Sequence, residues 1–172
     1  KGMPKGLKET SSLITIGFSV TETAPNIFTQ EAVDLQLNPL DNEVLLVYAI
    51  DVDVEAPDAI AATNTSVTAT VTTTSQTALS NLSSSTCLAA AQNRIQAAGF
   101  VDGGVSFQKT SMETPPSQLS HIGIIATNDF FIQVQGAANL NAKGVSGKMY
   151  CARAKASSAQ YAALVQSEVL SS

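Results

Sequence analysis

The 172-residue chain has no tryptophan, one histidine, two cysteines and only 13% charged residues. Each shortage excludes a class of function. Six Phe and three Tyr are few for a module that binds sugars or single-stranded nucleic acid by ring stacking. Cys87 and Cys151 give neither a CxxC pair nor a metal spacing. They suit one disulfide or two thiols, and their strand and helix contexts favour buried thiols. His121 stands beside Ser120, but neighbours on a strand point to opposite faces, so the two do not make a nucleophile–base pair. His121 reads instead as a hydrogen-bonded residue at a strand start. The glycines of Gly99-Phe-Val-Asp-Gly-Gly104 lack a phosphate-cradle spacing and read as turn residues. No apolar run approaches the roughly 20 residues that span a bilayer, and no secretory leader is visible. These shortages argue against an enzyme.

Charge is scarce and uneven. No Lys or Arg lies between Lys8 and Arg94, a stretch with ten carboxylates. Arg94–Lys155 holds six basic residues against three acidic ones. An acidic body of net charge −5 does not wrap phosphate, because nucleic-acid binding rests on clustered Lys and Arg. The exception is the start of the chain, where Lys1, Lys5 and Lys8 suit a peripheral contact with a genome or a membrane. So few charges on a small domain point to a surface partly hidden in an assembly. The acidic half and the mildly basic segment suit head-to-tail contact between copies.

The apolar residues that are present follow a period of two. Ser12–Thr21 puts Ile14, Ile16, Phe18 and Val20 on one face. Ile27–Leu37 repeats the pattern, and Asn38–Asn42 is a turn cluster. Glu43–Glu55 is the strongest strand, with Val44, Leu46, Tyr48, Ile50, Val52 and Val54 on one face throughout. Its other face changes from Leu45, Val47 and Ala49 to Asp51, Asp53 and Glu55, so one end is buried on both sides and the other meets water or a cation. Further strands are expected at Thr63–Ser75, Val105–Ser111, Leu119–Ala126, Phe130–Gly136 and Val145–Lys155. A compact turn at Thr127–Asp129 joins two of these, as in a hairpin. Leu88, Ala91, Ile95 and Ala98 recur at helical spacing with Gly99 after them, which predicts a helix over about residues 85–98. Ser157–Gln160 has the capping-box form, which predicts a second helix over about 157–170.

Eight strands, an inserted helix and a terminal helix predict an all-β, antiparallel jelly-roll sandwich of two four-stranded sheets, with an arm at 1–11, the sandwich at 12–156 and the helix at 157–172. An immunoglobulin-like sandwich usually carries a central Trp, which is missing here. Asp51, Asp53 and Glu55 line one face at i, i+2 and i+4 and are the candidate Ca²⁺ ligands, since oxygen-only sets suit that ion. A solvated acidic patch is the alternative. Tyr161, Leu164, Val165 and Val169 form the stripe of the last helix and are the candidate interface. The stripe faces either the chain's own sheet or a neighbouring copy.

The strand run Glu43–Glu55, the insertion after Ser75 and the closing strands Ile122–Gly136 and Val145–Lys155 resemble the layout of a single jelly-roll major capsid protein of a small tailless virus. The resemblance is organisational and covers about four fifths of the chain. It implies a virion shell subunit present in many copies, with terminal arms that reach neighbours and with other capsid proteins as further partners. The family's internal basic arm is matched only by Lys1, Lys5 and Lys8, which fits a lipid-lined shell or charge neutralisation by another protein. A carbohydrate-binding or adhesive β-sandwich of a cell or phage surface is the second reading.

Overall fold

The computed structural model describes residues 6–99, 104–110 and 121–171. They form ten strands: β1 Leu7–Glu9, β2 Ile14–Thr21, β3 Thr29–Asp34, β4 Glu43–Val54, β5 Thr65–Thr72, β6 Cys87–Gln96, β7 Val105–Thr110, β8 Gly123–Ile125, β9 Asp129–Ala137 and β10 Gly144–Ala156. A helix, α1, follows at Ser158–Ser171. In the first sheet β10 lies between β4 and the pair β1 and β2, and β8 lies beyond β4. The second sheet has the order β3-β9-β5-β6-β7. All pairs are antiparallel and nest inside one another: β2 with β10, β3 with β9, β4 with β8, β5 with β6. A long hairpin rolled over itself gives that nesting, which is the jelly roll.

The core between the sheets is apolar. Leu45, Val47, Ile50, Val67, Val71, Phe130, Ile132, Val134 and Met149 are each 0–1% exposed. Phe18 meets Phe130 edge to face across the sandwich, ring centroids 5.9 Å apart. Phe18 packs where Gly147 has no side chain. A Cβ there would meet the Phe18 ring at 2.6 Å and press on the carbonyl of Asp51.

β4 departs from the even alternation its sequence predicts. Tyr150 pairs with Ala49 and Cys151 with Val47, so Tyr48 is an extra residue at a β-bulge. The bulge exchanges the faces. Leu45 and Val47 share the inner core with Ile50 and Val54, while Val44 and Leu46 face outward into a second apolar cluster. That cluster is closed by α1, whose Tyr161, Leu164 and Val165 pack on Val44, Leu46, Ala154 and Ala156 or their neighbours. Of the two faces open to the stripe, these three residues lie partly buried on the chain's own sheet. The side chain of Val169 lies outside the described residues. The predicted cap is present, with Ser157 Oγ accepting from the Gln160 N–H at 3.3 Å.

Three further expectations are corrected. The helix expected over 85–98 is the strand β6, with eight register pairs to β5 and six to β7. Its alanine-rich sequence favours a helix locally, but two flanking strands satisfy its backbone and bury Ala89 and Ala91 in the core. The Thr127–Asp129 turn joins β8 in one sheet to β9 in the other, so it crosses the sandwich instead of closing a hairpin. The sheets have five strands each, because β1 and β6 add to the expected eight. Leu7–Glu9 of the expected arm belongs to the first sheet.

Candidate functional site

The most elaborate polar structure is built around residues 138–143, the loop between β9 and β10. The β2–β3 and β4–β5 loops lie at the same end of the sandwich and hold it. Glu22, directly after β2, is 4% exposed and accepts from the N–H groups of Gly136 and Lys143, each at 2.9 Å. Asn26 accepts from the Asn139 N–H at 2.9 Å and donates to the Asn139 carbonyl at 3.0 Å. The Asn139 side chain accepts from the Asp58 N–H at 2.9 Å and donates to the Ser66 carbonyl at 2.8 Å. Asp58 accepts from the N–H groups of Leu140 at 2.8 Å and Asn141 at 2.9 Å. Its other oxygen meets Lys143 Nζ at 2.7 Å. Glu55 accepts from the Gly144 N–H at 2.8 Å.

Three carboxylates and two asparagines therefore fasten one short loop. Gly136 admits the cage, since a Cβ there would meet Asn139 Nδ2 at 2.5 Å and Glu22 Oε1 at 3.2 Å. Ala138 is held at φ 61°, a left-handed conformation that costs a residue with a Cβ about 1–2 kcal/mol. The Lys143 ammonium, aided by the Leu140 and Asn141 N–H groups, holds the Asp58 carboxyl down at about 2. The backbone is fixed, yet Leu140 at its tip is 73% exposed. Beside it, on the chain after Asp58, begins a cleft of about 270 Å³ lined by Ala59, Ile60, Ala61, Ile95, Ala97, Gly104 and Ser106. Among the described residues no charged side chain lines it. The cage engages its carboxylates with backbone N–H groups and Lys143, and so fixes the loop's backbone.

The residues singled out from sequence lie elsewhere. Asp51 and Asp53 are exposed on the outer face of β4, and Glu55, also exposed, follows its last residue. Lys148 is the register partner of Asp51, and Glu55 is engaged with Gly144. Among the described residues no three His, Cys, Asp or Glu side chains converge on a point that could hold a metal ion. A row along a strand spreads its carboxylates, whereas Ca²⁺ needs them around a point. His121 is half-buried, and burial lowers its pKa. Cys87 and Cys151 are free thiols, and burial pushes Cys151 up to about 11. Lys8 is exposed on β1 opposite Lys155; Lys1 and Lys5 lie outside the described residues. Tyr48 at the bulge donates to Glu9, and burial together with that bond raises it to about 12. A second depression, of about 490 Å³, opens between β2 and β3 beside Phe18, Glu31 and Lys148, and no His or Cys lines it. Among the described residues no helix is long and apolar enough to cross a membrane.

Sequence reasoning missed the clamped loop because its parts are remote. Asn26 and Asn139 are 113 positions apart. The local traces were Asn26 in the break after β2 and Asp58 after Pro57, and neither names its partner.

Three of the six basic residues of Arg94–Lys155 meet the acidic half inside the chain. Lys143 pairs with Asp58, Arg153 with Glu43 at 3.0 Å, and Lys155 approaches Asp41 at 4.0 Å. These three pairs use within one chain part of the complementary charge that suits contact between copies.

No protein-family model matches the chain, and no curated protein matches it. Among solved structures it is similar to a chain from Desmodium yellow mottle tymovirus, at 10% identity over 88% of this chain and 93% of that one, with a TM-score of 0.33. A likeness that loose carries no functional weight.

Proposed function

We propose that this chain is a structural, non-enzymatic shell subunit: a capsid protein that associates with copies of itself in a virion. The observation that carries the reading is a jelly roll whose rigidly fastened end loop presents a bare leucine to water. Strand order alone fits viral shells and lectins alike. A fixed apolar tip is costly to hydrate and suits burial against protein more than against a sugar hydroxyl. The scarcity of charge supports the same reading, because a surface hidden in an assembly does not need charge for solubility. Lys8, with Lys1 and Lys5, remains the element for peripheral contact with a genome or a membrane, and other capsid proteins are further partners.

Light scattering and negative-stain microscopy of the purified chain test this. Closed particles of many copies are the expected result. A monomer at all concentrations that binds immobilised glycans would replace the reading with that of an adhesive module.

A further inference from the structure

The fastened loop and the cleft next to it have complementary chemistry. Leu140 is an apolar knob whose backbone is held by Asp58. The cleft is an apolar socket of about 270 Å³, room for a leucine side chain, and it starts at Ala59, the residue after that same aspartate. Knob and socket lie at one end of the chain, but Leu140 is exposed and does not line its own chain's cleft, which leaves both open to another molecule. We infer that Leu140 of one copy enters the cleft formed by Ala59, Ile60, Ala61, Ile95 and Ala97 of a second copy. This rests on the shell-subunit reading and names the contact through which it begins.

Charge at this end supports a second copy as the occupant. Like chains of net charge −5 repel unless they meet where their charges are already satisfied. Here Asp58 is neutralised by Lys143, Glu22 is buried on two backbone N–H groups, and Glu55, though exposed, accepts from the Gly144 N–H. The acidic row Asp51 and Asp53 lies on the outer face of the first sheet, away from the cleft. Fastening the loop beforehand also lowers the ordering cost of contact. A knob that enters a neighbour's socket while its own socket receives another knob is a head-to-tail contact. Repeated by rotation, it closes a ring.

Two variants of the full chain separate the halves of this contact. Leu140→Ser removes the knob and keeps the socket; Ala59→Glu places a charge at the socket mouth and keeps the knob. Both positions are exposed, so melting curves should match the parent chain. Sedimentation velocity should show each variant alone associating about tenfold or more weakly than the parent, the loss typical of an interface anchor. An equimolar mixture should form a dimer and stop there, because one intact knob meets one intact socket. If either folded variant associates like the parent, or the mixture forms no dimer, the contact is overturned and the shell reading stands by other surfaces. Rings that never proceed to closed particles would keep the contact and overturn the shell. A parent chain that stays monomeric overturns both.

Discussion

Asp58 joins three jobs in one carboxylate: it fixes two backbone N–H groups, pairs with Lys143 and precedes the cleft. Its folded value of about 2 lies below the ordinary 3.8. A lowered acid stabilises the fold when ionised. Its contribution is complete above about pH 4 and is lost as pH falls toward 2, where the folded carboxyl takes up a proton. The amide resonances of Leu140 and Asn141 should therefore titrate with a midpoint near pH 2. A midpoint near 4 would mean that the loop is not fastened by this group. Nothing about Asp58 in the sequence distinguishes it from the nine other acids of the N-terminal half. A residue's partners come from the fold, and those of the Asp58 carboxylate lie more than 80 positions away.

Strand positions were legible wherever one face is apolar and the other polar, as in β2 and β9. The legibility failed where burial is two-sided or side chains are small. β4 is buried on both faces at its start, so alternation there carried no phase and the bulge at Tyr48 left no mark. In β6, Leu88, Ala91 and Ile95 fit a helical face as well as they fit a strand, and only pairing with β5 and β7 decides between them. α1 was legible from its cap and stripe, but its target was not. Because α1 seals Val44 and Leu46, Leu164→Ala should destabilise the chain. Buried leucines lose 2–5 kcal/mol, and half-burial brings the expectation to about 1–2 kcal/mol. Calorimetry should show a melting temperature lower by about 2–8 °C for a chain of this length. An unchanged melting temperature would mean that the stripe does not seal the sheet, and would return it to the surface of a neighbour.

At the scale of the whole molecule, charge and apolar surface are separated. The described ion pairs are internal, and among the described residues the lining of the cleft beside Leu140 carries no charge. Assembly through it should be flat from low to high sodium chloride, since there is little to screen, and should strengthen in sulfate. Particle yield measured against salt checks this. A steep fall would show that unlike charges on separate copies carry the contact.

The nesting of the strands also sets a timetable. β10 occupies the interior of the first sheet, and its partners β2 and β4 are made long before it. Until residues 144–156 leave the ribosome, β4 lacks its main neighbour and β2 has none in that sheet. Pairings so remote in sequence form slowly. Leu140 precedes β10, and the loop that carries it is fastened only between finished strands. An unfinished chain therefore cannot display the loop in its fixed form, and under the proposed contact the order of synthesis would itself delay association until each copy is complete.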